Sequence, residues 1–185
     1  MIQTIHKSTT QQNVNLPKHI IFSIKAEKIL NIPGSPAEKT FNLLNSECYA
    51  DAIMYLAFSI PQPQSIAWAC NIIRTYNYND LTDAEDKVLS ATENWCHRYH
   101  ENNEKFCIPE HTLPTNKASS WVSLAAYWGH TKISNEENYK LDQDGLSNEA
   151  LYSAIMLSLQ NIDTNKKKQA FIETIEKGIV TFLSN

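Results

Sequence analysis

Residues 46–76, SECYADAIMYLAFSIPQPQSIAWACNIIRTY, constrain this chain more than any other stretch. They read as two apolar helices joined at Pro61-Gln62-Pro63, with Glu47, Asp51 and Arg74 as the only formally charged residues. A segment so poor in charge has to be covered on several sides, by its own core or by a partner. Its longest apolar run, near 52–58, is far shorter than the roughly 20 residues of a membrane span.

Punctuation around this segment predicts more helices. Ser35-Pro36-Ala37-Glu38 is a capping box with proline at the first helical position, opening a helix to about Leu44. Ser46 is the expected N-cap of the helix that runs to Ile60, where the prolines stop it. Ile66, Ala69, Cys70, Ile73 and Tyr76 then recur at three- and four-residue spacing over 64–76, and Trp68 and Ile72 widen the stripe. Thr82-Asp83-Ala84-Glu85 is a second capping box, with Val88, Leu89, Trp95, Cys96 and Tyr99 toward the core. Residues 118–128 form another apolar helix, expected to end at Gly129. Ser147 is read as the cap of the next, with Leu146 and Leu151 as its staple. The last helix, about 164–183, carries Phe171, Ile175, Ile179 and Phe182 on one stripe. Residues 18–30 suit helix better than strand, although their start is β-branched.

Only four glycines occur, all near expected element ends except Gly178, which argues against a hairpin-rich β protein. The expected fold is all-α: a single domain of seven or eight helices packed as orthogonal helical hairpins. It spans 17–185, behind a polar, flexible arm at 1–16 and with a long polar loop at 130–145.

Net charge of −4 gives no electrostatic footprint for nucleic acid or an anionic membrane, and Lys166-Lys167-Lys168 reads as a solvated helix start. The first 19 residues lack the apolar core of a signal peptide, and the four cysteines show no CxxC spacing. The reading is a cytoplasmic protein with free, buried thiols.

Cys96, His100, Cys107 and His111, spaced C-x3-H-x6-C-x3-H, are the sharpest candidate for chemistry. Such a set suits tetrahedral zinc, and Cys107 with His111 is the one local pairing for a thiol nucleophile. The spacing is not that of a common finger, and Cys96 also fits an apolar stripe, so buried thiols with surface histidines are the favoured reading. No metal, cofactor or catalytic residue is assigned. Asp51 is read either as a partner of Arg74 or as solvent-facing. No HExxH, GxSxG or phosphate-binding glycine loop is present. Of the aromatics, most belong in the core, but Trp68, Trp121, Tyr127 and Trp128 are the candidates to receive a partner helix.

The segment YADAIMYLAFSIPQPQSIAWAC (49–70), the Asn94-Trp95 helix and SSWVSLAAYW (119–128) resemble an uncharacterised bacterial family of small helical proteins. Its pattern is a Y-A-D-A-x-x-x-L-A helix, a proline turn, a W-A helix and a W-x-x-x-A-x-x-W helix before a glycine-rich loop. Tyr49, Ala50, Asp51, Ala52, Leu56, Ala57, Pro61, Trp68, Ala69, Trp121, Ala125 and Trp128 carry the likeness; an Asn/Glu/Lys-rich insert replaces the loop after Gly129. The family is associated with specialised secretion gene clusters and implies no catalytic residues. Composition and size are also similar to LvgA-type adaptors of the Legionella Dot/Icm type IV secretion coupling complex. That resemblance implies the tail of the coupling ATPase DotL, the small acidic chaperones IcmS and IcmW, and effector proteins as partners, with the membrane reached only through them. The functional expectation is a non-enzymatic adaptor; the alternative is a zinc- or thiol-dependent enzyme using the Cys96/His100/Cys107/His111 cluster.

Overall fold

The two capping boxes form where the sequence places them. Ser35 Oγ accepts from Glu38 N–H while the Glu38 carboxylate accepts from Ser35 N–H at 2.7 Å, and Thr82 and Glu85 repeat the exchange. They open α2 (Pro36–Asn45) and α5 (Asp83–His97). Among the described residues the other helices are α1 (Ile24–Leu30), α3 (Tyr49–Ser59), α4 (Gln64–Asn77), α6 (Ala118–Thr131), α7 (Gln143–Gln160) and α8 (Thr164–Leu183), with a 3-10 turn at Tyr78–Asp80. This computed structural model describes Val14 and residues 16–98, 116–131 and 143–184. Among the described residues the fold is all-α, and no helix is long and apolar enough to cross a membrane.

The apolar segment 46–76 lies at the centre. Ile53, Leu56, Ile66, Ile72 and Ile73 are fully buried, each worth about 1.5–3 kcal/mol of transfer free energy. α3 and α4 pack less on one another than on the helices around them: α3 lies chiefly against α8 and α4 chiefly against α7, and α7 and α8 each touch both. α2 adds cover to α3, and α5 and α6 add cover to α4. The prolines therefore make a corner, with α7 and α8 packed across its two arms. Leu89, Val122, Leu151, Ile155, Leu159 and Ile175 complete the core from the surrounding helices.

Several boundaries differ from the sequence reading, each because a distant partner outweighs a local signal. Ser46 does not cap α3; it ends α2. The next residue, Glu47, takes a left-handed φ of 60°, Cys48 N–H bonds Leu43 O at 2.9 Å and Glu47 N–H bonds Leu44 O at 3.0 Å. That pair of bonds is a Schellman ending, made here without the glycine that usually supplies the left-handed residue. Over 18–30 the helix begins only at Ile24, capped by Ser23, because Asp51 captures Ser23 N–H at 2.9 Å and Ser23 Oγ–H at 2.8 Å. Asp51 is thus not the partner of Arg74. Arg74 instead forks onto Glu93, through Nε at 3.1 Å and a second nitrogen at 3.0 Å, and also bonds Asp86 and Ser90, tying α4 to α5.

Both ends of the expected 130–145 loop are helical, since α6 runs on to Thr131 and α7 begins at Gln143; residues 132–142 lie outside the described residues. Gly129 is inside α6, not at its end. A Cβ there would stand 2.6 Å from Gln62 Cδ, so the missing side chain is the space that the α3–α4 corner occupies. Ser147 is an interior residue of α7 and donates to Ala125 O of α6 at 2.7 Å instead of capping. Leu146 is exposed while Leu151 is buried, so they form no staple. At the other end, Val14 and Leu16 pack against the core, which shortens the expected arm; residues 1–13 and 15 lie outside the described residues. His19 reaches α7, its Nε2 2.6 Å from Glu149 Oε1.

Candidate functional site

Helix α4 buries Ser65, Ile66, Trp68, Ala69, Cys70, Ile72 and Ile73, so the residues left between them form its outer stripe. Gln64, Ala67 and Asn71 occupy that stripe at i, i+3 and i+7, and Ala67 and Asn71 are exposed. Small or short side chains here keep the stripe low. The chain consequently has a concavity on each side of α4, and these three residues line both.

The groove between α4 and α8 encloses about 640 Å³. Ala67 and the edge of Trp68 line it from α4, and Val180 lines it from α8. Val180 is 63% exposed, and Leu183, one turn on, is equally bare. The rim is polar. Lys177 Nζ donates to Asn71 Oδ1 at 3.2 Å and to Thr75 Oγ1 at 3.1 Å, while Glu173 and Glu176 leave the rim net negative. Tyr76 O–H donates to Glu173 at 2.9 Å; burial first, then this carboxylate, pushes the phenol up to about 12.

Trp68 is fixed rather than free. It is 3% exposed, and its indole N–H donates to Thr174 O of α8 at 3.1 Å. Its six-membered ring lies over Gly178, where an added Cβ would meet Trp68 Cζ2 at 2.9 Å and Leu56 Cδ1 at 2.8 Å. Gly178 was the one glycine that the sequence reading could not place at an element end, and this close approach is its physical reason.

The groove between α4 and α5 is of similar size, about 610 Å³, and more polar. Arg74, Glu93, Asn94 and His97 line it together with Cys70 and Cys96. Burial holds both thiols protonated: Cys70 is pushed well up, and Cys96 is pushed up to about 12 by burial first and the nearby Glu93 second. Thiols so raised are weak nucleophiles near neutral pH.

The sequence candidates do not converge on one surface. Trp68 faces α8, whereas Trp121, Tyr127 and Trp128 are half-buried on α6, which packs on α4, α5 and α7. None of those three lines either groove. Of the Cys/His set only Cys96 is described; Tyr99, His100, Cys107 and His111 lie outside the described residues. Among the described residues no group of three or more His, Cys, Asp or Glu side chains is placed to hold a metal. Cys48, Cys70 and Cys96 are free thiols. Sequence reasoning missed Gln64, Ala67, Asn71, Lys177 and Val180. The one signal that could have exposed them is the interruption of α8's polar face by Val180 and Leu183.

A protein-family model described as a family of unknown function matches residues 41–182, from within α2 almost to the end of α8. No curated protein and no solved structure matches the chain.

Proposed function

The chain belongs to the DUF6931 family of unknown function, and on the strength of its surface we propose that it is a non-enzymatic adaptor that docks an amphipathic helix of a partner protein in the α4/α8 groove. The observation that carries this reading is the apolar floor of Ala67, Trp68 and Val180 beneath a polar, net-negative rim. A helix with apolar anchors at i, i+3 and i+4 and a basic flank complements both features. Apolar burial supplies the affinity, and the chain's net charge of −4 speeds encounter with basic segments.

Trp68 serves such a site as a fixed part of its floor. Held by Thr174 and Gly178, it presents a preformed edge, so docking costs little ordering of the adaptor itself. The secretion setting is carried by the sequence resemblance. On that reading the docked helix belongs to the tail of a type IV coupling ATPase, to a small acidic chaperone or to an effector. The protein then acts in the cytoplasm, at the inner-membrane face through its partners.

A photo-crosslinking amino acid placed at Ala67 in the native cell tests this, because that site is exposed on the groove and leaves Val180 free to be varied. The expected result is a covalent adduct to a partner segment of basic amphipathic helix, mapped by mass spectrometry and abolished by Val180→Glu. A protein that stays monomeric and free of partners, or an adduct indifferent to Val180→Glu, rejects the reading. The enzyme alternative has no comparable observation among the described residues.

A further inference from the structure

Away from both grooves, a cavity of about 240 Å³ lies where the ends of α4 and α7 meet the starts of α5 and α6. Two buried oxygens on its lining residues, Ser119 Oγ and Asn77 Oδ1, have no hydrogen-bond partner. Ser119 is 1% exposed. Buried hydroxyls further along a helix can bond the carbonyl four residues back, as Thr40 does to Pro36 O at 2.8 Å and Ser158 to Ala154 O at 2.9 Å; Ser65 Oγ and Thr174 Oγ1 are also unmet, but neither residue lines this cavity. Ser119, the second residue of α6, has no such carbonyl within its helix. Native proteins rarely leave buried polar atoms unmet, so two on one cavity point to something that satisfies both.

The charges select among the candidates. Lys117 Nζ lies 3.3 Å from Glu85 Oε1, which offsets its charge, and Glu85 Oε2 is held by Thr82 N–H and Oγ–H. Asp80 then leaves the lining net negative. Asn77 Oδ1 can only accept, and Ser119 Oγ has lone pairs to do the same. An ammonium group has three donors and one positive charge, and so answers both oxygens and the excess carboxylate. Ile73 and Leu157 give the cavity apolar wall for a short alkyl chain. The volume corresponds to about eight water molecules, below the ~300–1,000 Å³ of sites for drug-sized ligands. From this we propose that the cavity binds a short-chain primary alkylammonium compound.

The test uses the full chain and measures unfolding temperature and heat of binding at constant ionic strength. The probes are ethylammonium and ethanolammonium chloride, with ethanol, ethylene glycol and inorganic phosphate as comparisons. The expected result is a saturable rise in unfolding temperature and measurable binding with the two amines alone. Ser119→Ala, whose hydroxyl has no partner to lose, should unfold like the parent yet bind the amines about tenfold more weakly. Asp80→Asn, at an exposed position, should weaken them similarly. No saturable response to either amine overturns the proposal, since water alone then fills the site. So does an equal response to the alcohols or phosphate, or amine binding unchanged in both variants.

Discussion

Gly178 of α8 and Trp68 of α4 are in such close approach that glycine is the only residue the contact admits: a Cβ would stand 2.9 Å from Cζ2 and 3.0 Å from Cε2 of the indole. Trp68 is pinned by its bond to Thr174 O, and Leu56 closes the other side, so neither neighbour can retreat cheaply. Gly178→Ala is therefore expected to destabilise. Alanine gains about 1 kcal/mol in helix propensity, but overpacking a tight core costs about 1–3 kcal/mol, and rigid neighbours place the cost at the upper end. A net loss of about 1–2 kcal/mol should appear in urea unfolding. An unchanged or higher midpoint would mean that α8 slides to accommodate the methyl.

Gly129 and Gln62 make a softer version of the same contact. The obstructing atoms belong to the end of a flexible side chain, so Gly129→Ala can be accommodated if Gln62 swings away. Doing so breaks the link in which Gln62 donates to Ser147 Oγ and Ser147 donates to Ala125 O. The single substitution should cost about 1 kcal/mol despite its gain in helix propensity. In a Gln62→Ala background that cost has already been met, and Gly129→Ala should become stabilising. A double-mutant cycle should give a coupling of about 1 kcal/mol or more; additive effects would disprove the contact.

These two glycines also mark where the sequence stopped being legible. Capping boxes at Ser35 and Thr82 and the prolines at 61 and 63 act through neighbours three or four residues away, and each formed where its pattern stood. Gly129 and Ser147 carry the same local signals as real helix ends, and Ser23 caps α1 well inside the stretch that reads as helix; partners far along the chain set the roles of all three. Gln62 fills the notch at Gly129, Ser147 bridges to Ala125, and Asp51 reaches back 28 residues to Ser23. Asp51 looked anomalous in an apolar helix because its two acceptors serve a segment that spacing alone could not bring near. The α4/α8 groove was harder still to foresee. It depends on which face of α4 is left uncovered, which follows only from how four other helices pack around it.

Acid should loosen the helix starts first. The Glu38 carboxyl is held below the ordinary range by the backbone and side-chain bonds from Ser35. For Glu85, burial pushes upward, but the Thr82 bonds and Lys117 together outweigh it and the net direction is down. A carboxylate lowered in the folded state adds stability that is present above its unfolded pKa. That stability is lost as the pH falls through the folded value. The unfolding temperature is therefore expected to fall as the pH drops below the ordinary carboxylate range. Glu85→Gln keeps the capping geometry but cannot ionise or pair with Lys117. It should be less stable than the parent at neutral pH and show a shallower decline in acid. Parallel pH profiles for the two proteins would remove Glu85 from the account.

Cys96 offers a direct reading of the α4/α5 groove. Burial first and Glu93 second push its thiol up to about 12, whereas a free cysteine lies near 8.5. Alkylating reagents attack the thiolate, whose population at pH 8 falls by roughly the difference between those values, about a thousandfold. The side chain is only partly exposed, so shielding adds to protonation in slowing the reagent. Iodoacetamide should thus modify Cys96 in the folded protein at least about a hundredfold more slowly than in urea, as followed by peptide mass mapping. Glu93→Gln removes the second cause and weakens the Arg74 fork, and should raise the native rate. Native labelling of Cys96 at the rate of the unfolded chain would contradict the groove's protonated thiols and revive a nucleophilic role for this residue.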